Sequence, residues 1–244
     1  MVVGLRIDTK GSDSRATSRA RAEILKIASS PDDIRKKENK FCLVLCNSYH
    51  GTSYDLGDPA INDGLLAYER FTKLGYETKV YYDIKKGEFR RIFDYYIQQE
   101  YDSMVVYYTG HGTYKTDVSG DESDKRDEML VFMDGYISDD EVHKLIAQRK
   151  CKELLLFADC CHSGTIFDIT VEEYETGGIS TISACADDEQ AAQYWFNRKG
   201  NGVLTYYFWK LLDAGKLQLE NLNTKLAPFG HHAIIAGNWE HFFE

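Results

Sequence analysis

Short unbroken apolar runs alternate, from Lys40 onward, with stretches in which apolar residues recur every three or four positions. "FCLVLC" (41–46), "DSMVVYYTG" (102–110) and "ELLLFAD" (153–159) show no polar face, as expected of strands buried on both sides. "ETKVYYD" (77–83), "EMLVFMD" (128–134), "GISTISA" (178–184) and "HHAIIAG" (231–237) are further strand candidates. Between them, "AINDGLLAYERFTKLG" (60–75) places apolar residues at 61, 65, 66, 68, 71 and 74 and stops at Gly75, a helical stripe with a glycine terminator. Helices are also predicted over 87–100, 138–150 and 203–215; Ser138 followed by Glu141 is a capping-box pattern. Such alternation predicts an α/β fold with a mostly parallel central β-sheet flanked by helices on both faces. Ligands of such sheets bind beyond the carboxyl ends of the strands, so the residues there come first.

Residues 1–40 read differently. They are charged and poor in aromatics, with one helix expected around Arg19–Ala28, and suggest an arm or leader ahead of a domain spanning 41–244. No secretory apolar segment opens the chain, and no run approaches the ~20 apolar residues that span a bilayer. A formal net charge of −10 argues against a nucleic-acid backbone as partner. It suits basic partners or bound cations. Six cysteines follow no disulfide or zinc spacing, and Cys42, Cys46 and Cys151 lie in or beside apolar runs, where a reduced thiol behaves as a small hydrophobe. A reducing compartment, the cytoplasm, and a monomer without membrane attachment are the expectations.

Two strand ends carry reactive side chains: "TGHGTY" after the strand at 102–109 and "DCCHSG" after that at 153–158. His111, between two glycines, is either an exposed turn histidine or an acid/base group. A cysteine with its ordinary pKa of ~8.5 needs a base or a positive environment to react at neutral pH, so a histidine–cysteine pair is a candidate dyad. Adjacent Cys160 and Cys161 would strain a disulfide and offer no redox motif.

Together, "YYTGHG" and "FADCCHSG" resemble the metacaspases, with further likeness in "YHGTSYDLGDPAINDG" (49–64), "ISDDEVHKLI" (137–146), "ISACADDEQA" (182–191) and "GVLT" (202–205). The fifty residues from His111 to Cys161 match the caspase spacing. The resemblance covers about residues 41–237 and implies a caspase-like fold and a calcium-dependent cysteine endopeptidase of the compact type I kind, cutting after Arg or Lys. It implies Cys161 as nucleophile, with Cys160 at a variable position and turned into the core while Cys161 faces the cleft. It implies His111 as acid/base partner and the backbone N–H groups of Gly112 and Cys161 as oxyanion hole, with His162 structural or substrate-side.

For the substrate, the resemblance implies an S1 pocket of Asp63 and Asp159 with Thr109 beside them, which suits a protein or peptide with a basic P1 residue. Read alone, Asp63 could also be a carboxylate at a helix N-terminus. Ala60 departs from the family, which often has cysteine there. The acidic loop 116–128 fits no EF-hand and reads as solvated, but the family's calcium ligands map to Asp127, Asp139, Asp140 and Asp168, oxygen donors suited to Ca²⁺. Arg35, Lys36, Lys37 and Lys40 make a candidate self-cleavage segment. The competing expectation is a non-enzymatic scaffold that keeps the dyad unused.

Overall fold

The computed structural model describes residues 6–7, 14–116, 126–161, 163, 167, 169–185 and 189–244. In chain order the elements are β1 (Arg6–Ile7), α1 (Ser14–Ile27), β2 (Lys40–Cys46), α2 (Asp58–Lys73), β3 (Glu77–Tyr82) and α3 (Lys86–Ile97). β4 (Ser103–Thr109), β5 (Gly112–Thr116), β6 (Arg126–Phe132), β7 (Gly135–Ser138), α4 (Asp139–Ile146) and β8 (Glu153–Asp159) follow. The last part holds α5 (Val171–Thr176), β9 (Ile179–Ser183), β10 (Ala192–Phe196), β11 (Lys199–Gly202), α6 (Val203–Asp213), α7 (Leu219–Leu226) and β12 (Ile234–Ala236).

The apolar runs pair with one another. The central sheet has the order β12-β9-β8-β4-β2-β3, parallel throughout except for β12, which runs antiparallel to β9. Alternation along β2 sends Cys42, Val44 and Cys46 to one face and Phe41, Leu43 and Leu45 to the other. The first face packs against Ile24 of α1, Phe71 of α2, Phe208 of α6 and Leu222 of α7. The second packs against Phe89 and Phe93 of α3 and Val142 and Ile146 of α4. Both faces of the sheet are covered, which is why its strands read as continuous apolar runs.

Several elements differ from the sequence expectation. The run at 128–134 does form a strand, β6, but it pairs with β5 and β7 in a separate antiparallel sheet instead of joining the central one. β10 and β11 make a hairpin, turning at Asn197 and Arg198, both with positive φ (50° and 68°). That left-handed pair is the geometry of a two-residue hairpin turn matched to strand twist. Only half of the capping box on α4 forms: Ser138 Oγ accepts from the Glu141 N–H, while the Glu141 carboxylate is drawn to Arg90.

The expected arm is docked. Along α1, Ala20 and Ile24 are buried in the core, and the Ser29 N–H donates to the carbonyl of Val80 on the edge strand β3 at 2.7 Å. Lys79, itself buried, donates to the Asp33 carboxylate at 2.9 Å, and the N–H groups of Lys37 and Glu38 both donate to Glu77 at 3.0 Å. Residues 19–40 are therefore part of the folded body, and the basic segment at 35–40 is tied to β3 instead of hanging free. Among the described residues, no helix is long and apolar enough to cross a membrane.

Ile24→Ala should accordingly destabilise the protein by about 2–5 kcal/mol, as for other fully buried large-to-small changes. Urea unfolding measures this, and a loss near zero would mean that α1 is not anchored.

Candidate active site

Strand register builds the site. Cys46, Thr109 and Asp159 lie in one row across the ends of β2, β4 and β8, and His111 and Cys161 each follow two residues later. The two predicted strand ends are thus carried to the same place on the sheet edge by the pairing of β4 with β8.

His111 is held from several sides. Its Nε2–H donates to the Tyr54 carbonyl at 2.8 Å, its backbone N–H donates to the Tyr49 hydroxyl at 2.7 Å, and the Tyr49 ring lies 4.8 Å away at 32°. Nδ1 is therefore the basic nitrogen, and it is buried without a hydrogen-bond partner among the described residues. Burial holds the imidazole below its usual pKa, so the ring is neutral at pH 7 and available as a proton acceptor. The flanking glycines are required by space. A Cβ on Gly110 would come within 2.7 Å of the Tyr49 hydroxyl, and one on Gly112 within 1.8 Å of the Cys161 carbonyl oxygen.

Both adjacent cysteines are buried, Cys160 on the face covered by α3 and α4 and Cys161 on the opposite one. Cys160 points into the core as expected. Cys161 was expected to face an open cleft, yet it is 0% exposed, because its Sγ turns toward the Ala191 carbonyl at 3.8 Å. Burial, reinforced by the neighbouring Cys185 thiol, pushes the Cys161 pKa up to about 12. No thiolate is preformed, and among the described residues no hydrogen bond joins Cys161 to His111. His162 lies outside the described residues.

Asp63 and Asp159 converge at Gly202. A Cβ there would come within 2.2 Å of Asp159 Oδ2 and 2.8 Å of Asp63 Oδ2. Asp63 does not serve the N-terminus of its own helix: it accepts from Asn201 Nδ2 and from the Gly202 N–H, each at 2.8 Å. Asp159 Oδ2 accepts from the Thr205 N–H at 3.0 Å and its hydroxyl at 2.7 Å, and Tyr107 donates to that same hydroxyl. Asp159 Oδ1 is buried and has no partner among the described residues. Burial raises both carboxyl pKa values, and the nearness of Asp159 raises that of Asp63 further. Thr109 is likewise buried, beside Asp159 in the register row. Sequence reading assigned no role to Tyr49, Tyr54, Asn201 or Thr205; the "GVLT" match covered Gly202 and Thr205 without saying what they hold.

The four aspartates mapped as calcium ligands are only partly seen together. Asp139 and Asp140 open α4, and the backbone of Asp127 lies in β6, the strand paired with β7 just before that helix. Asp139 is buried and accepts from the Glu128 and Asp140 N–H groups at 2.8 and 2.7 Å, whereas Asp140 is exposed and near Lys144. Asp168 and the Asp127 side chain lie outside the described residues, and among the rest no cluster of three or more His, Cys, Asp or Glu side chains could hold a metal ion. Asp139 and Asp140 have the right donor chemistry but do not make a calcium cage by themselves.

Comparison with known proteins gives a consistent picture. The sequence profile of the caspase domain matches residues 39–227. Metacaspase-3 of Arabidopsis thaliana is 31% identical over 137 residues, 45% of this chain and 38% of that protein. Metacaspase-1A of Aspergillus clavatus is 39% identical over 87 residues (33% and 20%), and Metacaspase-2 of Trypanosoma brucei brucei 31% over 118 residues (37% and 34%). The chain thus aligns with well under half the length of these relatives. Caspase-1 from Spodoptera frugiperda superposes with a TM-score of 0.56 at 13% identity, covering 86% of this chain and 96% of that one. A Geobacter sulfurreducens protein superposes at 0.61 with 18% identity, covering 84% and 96%. At these identities the structural likeness establishes the fold.

A thiol with so high a pKa should alkylate slowly at neutral pH, with the rate rising about tenfold per pH unit between pH 6 and 8. Iodoacetamide labelling of the folded protein, followed by peptide mapping of Cys161, reads this. A rate already at plateau at pH 6 would mean a preformed thiolate.

Proposed function

The chain belongs to the caspase-domain family, and on that premise we propose that it is a cysteine endopeptidase cutting peptide bonds after arginine or lysine. The supporting observation is the single register row of Thr109 and Asp159, with His111 and Cys161 each two residues beyond it. One acidic side chain and both reactive groups are thereby tied to one sheet edge.

In the proposed reaction, Cys161 Sγ attacks the scissile carbonyl carbon while its proton passes to His111 Nδ1, the nitrogen left basic by the Tyr54 bond. With a thiol pKa of about 12, this transfer has to accompany attack. The backbone N–H groups of Gly112 and Cys161 would hold the oxyanion, a donor of this kind contributing ~3 kcal/mol in the transition state. Collapse of the tetrahedral intermediate breaks the C–N bond as the imidazolium protonates the leaving amine. Water, with His111 again as base, then hydrolyses the thioester.

Specificity rests on the acidic pair. Asp159 Oδ1 is a buried acceptor with no protein donor among the described residues, and a P1 guanidinium or ammonium would satisfy it. A P1 aspartate would meet two carboxylates. Calcium dependence is supported by the placing of Asp127, Asp139 and Asp140 at the β6–α4 corner and by the resemblance that adds Asp168. A bound cation would neutralise carboxylates there.

One observation favours a second reading, that of a caspase-like scaffold: Cys161 is fully buried and unengaged with His111. A covalent inhibitor carrying a P1 arginine separates the two, since an enzyme labels at Cys161 and a scaffold does not.

Cys161→Ala should abolish cleavage of P1 Arg and P1 Lys peptides, whereas Cys160→Ala should retain most of it and P1 Asp peptides should resist the wild type. Equal loss from both cysteine variants, or efficient cleavage after Asp, would overturn the assignment.

Chelation should lower turnover of the same fluorogenic peptides, and Asp139→Ala should weaken reactivation by added Ca²⁺ while the protein stays folded. Undiminished activity in excess chelator would remove calcium from the mechanism.

A further inference from the structure

Tyr82, the last residue of β3, lies in the same register row as Cys46, Thr109 and Asp159, and Asp83 follows it at the sheet edge. None of the reactive motifs contains Asp83. Its backbone N–H extends the β2–β3 ladder by donating to the Cys46 carbonyl at 2.9 Å. Its carboxylate grips the loop that leaves β2. Oδ1 accepts from the N–H groups of Ser48 and Tyr49, each at 2.7 Å. Oδ2 accepts from the His50 N–H and the Ser48 hydroxyl, each at 3.1 Å. Three successive backbone donors and a hydroxyl thus converge on one side chain.

The grip holds an unfavourable backbone. Tyr49 has φ 58°, a left-handed value that a bulky side chain avoids, and Asp83 itself has φ 49°. Such conformations persist only where the surroundings over-determine them, and they gather at functional sites. In this one the Tyr49 side chain is fully buried, its hydroxyl accepting from the His111 N–H at 2.7 Å and donating to the Val131 carbonyl at 2.9 Å. The same loop carries Tyr54, whose carbonyl accepts from His111 Nε2–H. Inside the loop, the Thr52 hydroxyl donates to the Tyr49 carbonyl at 2.8 Å and accepts from the Tyr54 N–H at 3.3 Å. The Leu56 N–H closes its neck on the Ser48 carbonyl at 2.8 Å. Both holds on His111, one on its backbone and one on its ring, therefore come from a loop fastened at its base to Asp83.

We propose that Asp83 is a positioning residue for the general base, acting on His111 through Tyr49 and Tyr54. This rests on the reading of His111 as proton acceptor given above. Removing the carboxylate takes the acceptor from three N–H groups and leaves the left-handed Tyr49 without its restraint. The loop then relaxes toward ordinary φ values, and the Tyr49 hydroxyl and the Tyr54 carbonyl shift with it. A ring freed from the Tyr54 carbonyl samples both neutral tautomers, so Nδ1 carries a proton part of the time and is no longer a base. Its aim is lost as well, and a displacement of ~1 Å at a reacting group can cost a hundredfold in rate.

The test pairs steady-state kinetics with imidazole NMR on the full chain. Asp83→Ala should lower kcat on a P1 Arg peptide about 30-fold and leave KM within about twofold of wild type. Asp83→Asn keeps an acceptor oxygen for Ser48 and Tyr49, and its kcat should recover to within about fivefold of wild type. Long-range proton–nitrogen spectra at about pH 8, with His111 assigned by its loss in His111→Ala, should show one tautomer protonated at Nε2 in the wild type and a mixture in Asp83→Ala. A KM that rises as far as kcat falls, equal loss in the two Asp83 variants, or an unchanged tautomer in Asp83→Ala overturns the proposal. Should circular dichroism show Asp83→Ala unfolded, Tyr49→Phe removes a single hydroxyl and should lower kcat about tenfold at constant KM. Wild-type kcat in that variant overturns the proposal. A wild type that cleaves no peptide overturns the peptidase reading, and the tautomer comparison then decides the role of Asp83 by itself. An active wild type whose tautomer survives Asp83→Ala overturns only the role of Asp83.

Discussion

The backbone of Gly112 runs against the carbonyl of Cys161 so closely that no side chain fits between them. This contact joins two segments that leave the sheet from neighbouring strands, β4 and β8, and it keeps the histidine segment and the cysteine segment in register beyond the last ladder bond. The tyrosines beneath it complete the constraint. Tyr49 accepts from the His111 backbone and donates to Val131, so the histidine loop is fastened to β6 as well as to β4. The Tyr54 carbonyl selects the tautomer of the neutral imidazole, and among the described residues no acidic side chain bonds the ring.

The acidic pair follows the opposite logic. Its carboxylates are buried and mutually repelling, and stay in place because Asn201, Gly202 and Thr205 supply N–H and O–H donors to three of the four oxygens. A relay from Tyr107 through the Thr205 hydroxyl strengthens that hold on Asp159. Among the described residues Asp159 Oδ1 is the oxygen of the pair left without a donor, and the proposed preference for a cation rests on that unmet electrostatic demand.

Much of this was legible in the chain. The apolar runs at 41–46, 102–110 and 153–159 became the middle of the sheet because each is buried on both faces, and their ends carry His111 and Cys161. What could not be read were contacts that depend on distant segments. Tyr54 selects the histidine tautomer through its backbone carbonyl, which no side-chain pattern reveals. The hairpin of β10 and β11 was hidden because its turn is made by Asn197 and Arg198 in left-handed conformations without an adjacent glycine signal before them. The docking of residues 19–40 was missed because it uses isolated anchors, Ile24 and the Lys79–Asp33 pair, in a segment otherwise polar. The burial of Cys161 was missed because the Ala191 carbonyl that attracts its thiol comes thirty residues later.

The bond between Asp63 and Asn201 spans 138 residues, and that between Asp63 and the Gly202 N–H spans 139. A chain emerging from the ribosome presents its amino-terminal end first, so β2, β4 and β8 are all available for pairing before the last donors of the acidic pocket have been made. For that interval a nascent chain holds both His111 and Cys161 but lacks the groups that steady Asp63 and Asp159. Synthesis order therefore separates the pairing of the strands that carry His111 and Cys161 from the completion of the hydrogen bonds around Asp63 and Asp159. The β11–α6 junction therefore completes the hydrogen bonds around Asp63 only after the strands that carry His111 and Cys161 have been made.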